Sequence, residues 1–133
     1  AEAVLPAGVD AVFPLVADAY QEIGISIETL DTTRRIIGNP RFRARQRLAG
    51  MPMETVVRCG DGPTGPHARS FLITFDIHTQ VMPSGAGKSM MRTMVSATGR
   101  SIEGATTHEI TCASTGALEQ RILEIVSRRL GGA

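Results

Sequence analysis

The chain has 133 residues, 14 basic and 13 acidic side chains for a net charge of +1, and a hydrophobic fraction of 42%. That length fits one domain around one core, and a charge this close to neutral excludes a global field drawing the chain onto DNA or an anionic membrane. With no Trp, one Tyr and four Phe, the core must be aliphatic, and the stacked aromatic faces that hold single-stranded nucleic acid or flat cofactors are missing.

Residues 1–9 read as an N-terminal arm, small and apolar with a Pro, and the start Ala1-Glu2-Ala3 without Met reads as a mature exported form. A single domain is expected over 10–131. Asp10 is expected to cap a helix carrying Val12, Val16, Ala19, Tyr20 and Ile23 at helical spacing, with Pro14 in its first turn and Gly24 as its stop. Ile25 to Thr29 and Arg34 to Ile37 flank the turn-forming Leu30-Asp31-Thr32-Thr33 and read as a hairpin. After Asn39-Pro40, the residues Phe42, Ala44, Gln46 and Leu48 alternate with Arg43, Arg45 and Arg47, the two-residue period of a strand.

Gly50-Met51-Pro52 interrupts the chain, and Met53 to Arg58 reads as strand again. The Gly- and Pro-rich run Gly60 to Pro66 predicts an irregular loop. Two long antiparallel strands follow, Ser70 to Met82 and Ser89 to Arg100, joined across Pro83 to Gly87, and a last strand lies near Glu109 to Cys112. Ser114 or Thr115 caps a closing helix with Leu118, Ile122, Ile125, Val126 and Leu130 on one face and Gly131 just past its end. The predicted class is α+β: a curved, mostly antiparallel sheet of five or six strands with the N- and C-terminal helices packed on one face.

Cys59 and Cys112 each end an apolar run, so both fall on strands of one sheet, and a disulfide between them would close a loop of more than fifty residues. Such a bond belongs to an oxidising compartment; two separate buried thiols in a cytosolic protein are the alternative. No run approaches the roughly eighteen apolar residues that span a bilayer.

Three near-motifs have plainer explanations. Gly85-Ala86-Gly87-Lys88-Ser89 resembles the end of a phosphate-binding loop, but Met82 stands where that pattern needs Gly and the following residues read as strand, so a hairpin turn with a solvated Lys is expected. Cys112-Ala113-Ser114-Thr115-Gly116 sits between strand and helix as a nucleophile elbow would, yet no His follows it, and Ser114 and Thr115 read as helix caps. Asp76 and His78 share a strand face, as a base and its orienting carboxylate do, but His67 and His108 add no metal-ligand spacing. No catalytic residue, metal site or cofactor is assigned.

The strongest feature is the basic stripe Arg34, Arg35, Arg41, Arg43, Arg45 and Arg47, six arginines within fourteen residues. Strand alternation places Arg43, Arg45 and Arg47 on one outward face, fit to dock an acidic protein surface, lipid phosphate or nucleic acid. The structural explanation is that arginines protect an edge strand from aggregation. Nucleic acid is the least suited partner, because the aromatics are missing.

The loop Cys59 to Pro66 and the run Cys112 to Glu119 resemble uncharacterised exported proteins and lipoproteins of Gram-negative-type bacteria. The order of elements is also similar to the helix-grip domains of BamC, an outer-membrane assembly lipoprotein. The resemblance implies a non-enzymatic accessory part of a membrane-bound machine, although no Cys near Ala1 could carry a lipid. The expected function is therefore a periplasmic accessory subunit that docks on the exported face of a membrane complex for envelope biogenesis or for respiratory or photosynthetic electron transfer. The partners are proteins, and nothing in the chain spans the membrane. The alternative is a carrier of a small apolar ligand between the closing helix and the sheet, with Met82, Met90, Met91 and Met94 lining its pocket.

Overall fold

The computed structural model describes residues 1–102 and 108–132. In chain order the elements are β1 (Glu2–Leu5), α1 (Val9–Ile23), β2 (Thr29–Asp31), β3 (Ile36–Arg45), β4 (Arg47–Leu48), β5 (Met51–Pro52), α2 (Met53–Val56), β6 (Val57–Arg58), β7 (Asp61–Gly62), β8 (Gly65–Pro66), α3 (His67–Ser70), β9 (Leu72–Pro83), β10 (Ser89–Arg100), β11 (Glu109–Ser114) and α4 (Ala117–Gly132). Seven strands form one open antiparallel sheet in the order β2-β3-β9-β10-β11-β6, with β1 added against β10. Because β9 pairs with the whole length of β10, β1 and β11 share the opposite edge, β1 along Ser89 to Arg92 and β11 along Ala97 to Arg100. The α+β class and the antiparallel sheet with terminal helices are as the sequence predicts.

Alternation along β9 and β10 separates two faces. Ile73, Phe75, Ile77, Thr79 and Val81 are buried and face the helices, where Val12, Val16, Ala19 and Tyr20 of α1 and Leu118, Ile122, Ile125 and Val126 of α4 complete the core. Leu72, Thr74, Asp76, His78, Gln80 and Met82 point the other way, and no helix among the described residues covers them. Polar groups on the covered face are satisfied: the Tyr20 and Thr79 hydroxyls lie 3.0 Å apart, Thr79 and Thr93 likewise. Asn39 Nδ2 donates to the Ser26 carbonyl at 2.8 Å.

Several expectations are corrected. The N-terminal arm of residues 1–9 is in part a strand of the main sheet, because Glu2 to Leu5 find open backbone partners along β10. The cap of α1 is Gly8, and Asp10 sits in the first turn, where it favours the positive end of the helix dipole and bonds Arg35 at 2.8 Å. Pro14 is thus in the second turn; the carbonyl it leaves without a donor belongs to exposed Asp10, on the solvent side. Gly24 ends the helix as predicted, at φ 93°.

The hairpin turn is shifted to residues 32–35, closed by Asp31 Oδ1, which accepts from the amides of Thr33 and Arg34 at 3.0 and 2.9 Å. Met53 to Arg58 is not all strand: Met53 and Val56, both fully buried and three apart, turn inward together only in a helical turn, which Pro52 precedes. The closing helix runs through Gly131 to Gly132 rather than stopping before it. Residues 83–89 are a hairpin turn with Gly85 and Gly87 at φ 87° and 70°, and Lys88 is exposed.

Cys59 and Cys112 form a disulfide with Cα atoms 4.3 Å apart. Ala113 pairs with Arg58, so the bond joins the next residues of two adjacent strands. Gly99 makes room beside it: a Cβ there would lie 3.2 Å from both Cys112 Sγ and Ile73 Cδ1.

Candidate functional site

The six arginines of the stripe do not act as one surface. Arg35, in the left-handed region at φ 57°, bonds Asp10 and sets its guanidinium 5.5 Å from the centre of the Phe13 ring, so it ties the β2–β3 turn to α1. Arg34 lies 4.0 Å from Asp31, and Arg41 lies 3.4 Å from Glu28. Arg47 donates to the Gly50 carbonyl at 2.7 Å. The two-residue alternation stops at Gln46, whose φ of 68° breaks the strand, so Arg47 belongs to the small β4–β5 hairpin and not to the row expected with Arg43 and Arg45.

Arg43 and Arg45 remain. Both are exposed, and among the described residues neither has a hydrogen bond or ion pair. They pair with Thr74 and Leu72 of β9 and share the uncovered face with those residues. Arg100 lies on the same row as Arg45, on the far side of Leu72, with Glu109 opposite it. Glu109 Oε1 accepts from the Thr98 hydroxyl at 3.4 Å. The uncovered face is therefore basic at this end. At the other end the row Val4, Met90 and Met82 is apolar, and exposed Met94 lies two same-face rows away, beyond Arg92.

Backbone pairing adds a second property to the same place. Only Ile36, Ile37 and Gly38 of β3 pair with β2. From Phe42 to Arg45 the strand is paired with β9 on one side, and the other edge has no strand partner among the described residues. A bulge lies between Asn39 and Phe42, at the point where this half of β3 begins.

The remaining candidates resolve as structure. His78 Nδ1 lies 3.7 Å from Asp76 Oδ1, with both side chains about half in solvent on an open face and not in a pocket. Asp76 lines a shallow depression with Pro40, Thr74, Ser96, Thr98 and Thr111. Ser114 and Thr115 are spent on the start of α4: their hydroxyls accept from the amides of Gly116 and Ala117, Ser114 donates to the Glu119 carboxylate at 2.8 Å, and Thr115 donates to the Thr55 carbonyl at 2.5 Å. No group of three or more metal-binding side chains occurs among the described residues.

The four methionines do not line one pocket as the carrier reading expects. Met91 is buried in the core, whereas Met82, Met90 and Met94 lie on the uncovered face. A cavity of about 440 Å³ opens instead between the end of β1 and the last turns of α4, lined by Leu5, Pro6, Ala7, Ser127, Leu130 and Gly131. The free edge of β3 carried no separate sequence signal, because a strand of ten residues gives no sign that its partner is only three long.

No helix among the described residues is long and apolar enough to cross a membrane. No protein-family model, curated protein or solved structure matches the chain.

Proposed function

We propose that the protein is a non-enzymatic accessory subunit that works in the periplasm and docks on a protein component of a membrane-bound complex. The complex serves envelope biogenesis or respiratory or photosynthetic electron transfer. The observation that carries this reading is the pair Arg43 and Arg45, the two stripe arginines whose side chains have no partner among the described residues, on a strand edge that has no strand partner among them either. Four of the six stripe arginines are consumed by contacts within the chain. Two cations with no ion-pair partner among the described residues, beside open backbone groups, are a surface with unused binding capacity. The Cys59–Cys112 disulfide supports an oxidising compartment.

Affinity purification of the tagged protein from detergent-solubilised native membranes tests the reading. A stoichiometric membrane-protein partner is the expected result, and recovery of free monomer alone overturns it.

The cavity between β1 and α4 favours a second reading, a carrier of a small apolar ligand, since Leu5, Pro6, Ala7 and Leu130 give it a largely apolar wall and its volume suits a small molecule. Native mass spectrometry decides this one, by the presence or absence of a co-purified small molecule.

A further inference from the structure

We propose that the free edge of β3 from Phe42 to Arg45 accepts an extended acidic segment of a partner protein, added as a further strand with its carboxylates opposite Arg43 and Arg45. This rests on the docking reading above and names the chemistry of the partner.

Three observations converge. An antiparallel strand bonded on one edge presents the N–H and C=O groups of every second residue on the other, so Phe42 to Arg45, past the bulge, offer a template for one more strand. Arg43 and Arg45 are two residues apart on one face, hence roughly 6.8 Å apart, which is the repeat of same-face side chains in any extended chain. Directly opposed positions on neighbouring strands bring Cβ atoms within roughly 5 Å, close enough for Asp or Glu to reach a guanidinium.

Charge selects the occupant. A second copy of this chain pairing through the same edge sets arginine against arginine, which like-charge opposition disfavours. An apolar segment gains the backbone bonds but leaves both cations unneutralised, whereas carboxylates at alternate positions satisfy both sets of groups. Among the described residues no acidic side chain forms an ion pair with Arg43 or Arg45, and Glu28 is already paired with Arg41. Arg100, one strand further in than Leu72, adds a third cation to the same end of the face.

The test uses the intact protein and two fluorescent peptides of identical composition, one with Glu at every second position between Thr residues and one with the Glu residues in a single block. Fluorescence anisotropy at low ionic strength is expected to show preferential binding of the alternating peptide, weakened roughly tenfold by Arg43→Gln with Arg45→Gln. Arg34→Gln with Arg47→Gln should leave it unchanged. Hydrogen exchange should slow in the segment 42–45 when the alternating peptide is bound. Equal binding of the two peptides, protection elsewhere, or tighter Arg43- and Arg45-dependent binding to phosphatidylglycerol vesicles than to the peptide would overturn the proposal. The variant is also carried through the membrane purification. If the Arg43→Gln, Arg45→Gln protein keeps its partner, the edge assignment falls and docking stands; if both proteins emerge as free monomer, both fall.

Discussion

Tyr20 has no solvent exposure, and its hydroxyl reaches Thr79 at 3.0 Å and the Ile37 carbonyl at 3.4 Å. Burial pushes this phenol well above its ordinary value of 10.0, while the Thr79 hydrogen bond acts in the opposite direction and loses. A raised value in the folded state means stability fully present below the unfolded value and lost as pH rises toward the folded one. Because Tyr20 is the chain's one tyrosine and there is no Trp, absorbance at 295 nm reports on it alone. The expected outcome is that ionisation of Tyr20 and loss of the far-ultraviolet circular dichroism coincide at alkaline pH; ionisation near pH 10 in a still-folded protein would contradict the buried placement. The burial of Tyr20 was legible in the spacing of α1, but its partners were not. Thr79 and Thr93 look like any strand threonines until the register sets them side by side under one helix.

At the scale of elements, the two long helices are held together at their exposed margins by Glu22, which accepts from Arg128 at 2.7 Å and from Arg129 at 2.9 Å, with Asp18 3.8 Å from Arg129. Arg128 first, then Arg129, hold the Glu22 carboxyl below its ordinary value of 4.5. A depressed value gives stability that is present above the unfolded value and lost as pH falls through the folded one. Glu22→Gln should therefore lower the thermal midpoint at pH 7 by a small, salt-sensitive amount and have a smaller effect at pH 3, read by thermal unfolding at both. Strongly periodic elements such as α1, β9, β10 and α4 could be read from the sequence, since burial imposes one pattern over many residues. Elements decided by a distant partner could not. Strand β1 exists because β10 has room for it, α2 because Met53 and Val56 must both face inward, and the row Arg43, Arg45, Arg47 is cut short by the backbone of Gln46. The candidate site followed the same rule in part: the arginines were visible in the sequence, and Arg34 has a local partner in Asp31, while Arg35 and Arg41 are engaged by Asp10 and Glu28 from other segments.

Across the whole molecule, the disulfide does more than close a loop. Strand β6 meets the main sheet through only two residue pairs, Arg58 with Ala113 and Val57 with Ser114, and behind it stand the short elements α2 and α3, linked by Arg69 and Glu54 at 2.7 Å. The segment from Met53 to Ser70 is thus fastened to the sheet at few points: those pairs, the buried side chains of Met53, Val56 and Val57, the Thr115 contacts with Thr55 and Val56, and the bond from Cys59 to Cys112. With a sequence separation of 53, the cross-link removes chain entropy from the unfolded state worth about 4 kcal/mol. Cys59→Ser with Cys112→Ser should therefore lower the unfolding free energy by about that amount in urea. The loss should be uneven in space. Amide exchange is expected to accelerate first across residues 53–70, while the central pair β9 and β10, joined over twelve residues each, keeps its protection until global unfolding. If protection falls uniformly over the chain, the β6 region is an integral part of the cooperative core and not an appendage pinned to it. The free edge of β3 lies across the sheet from this pin, beyond β9, β10 and β11, so the double serine variant, where still folded, should bind the alternating acidic peptide as well as the parent chain does.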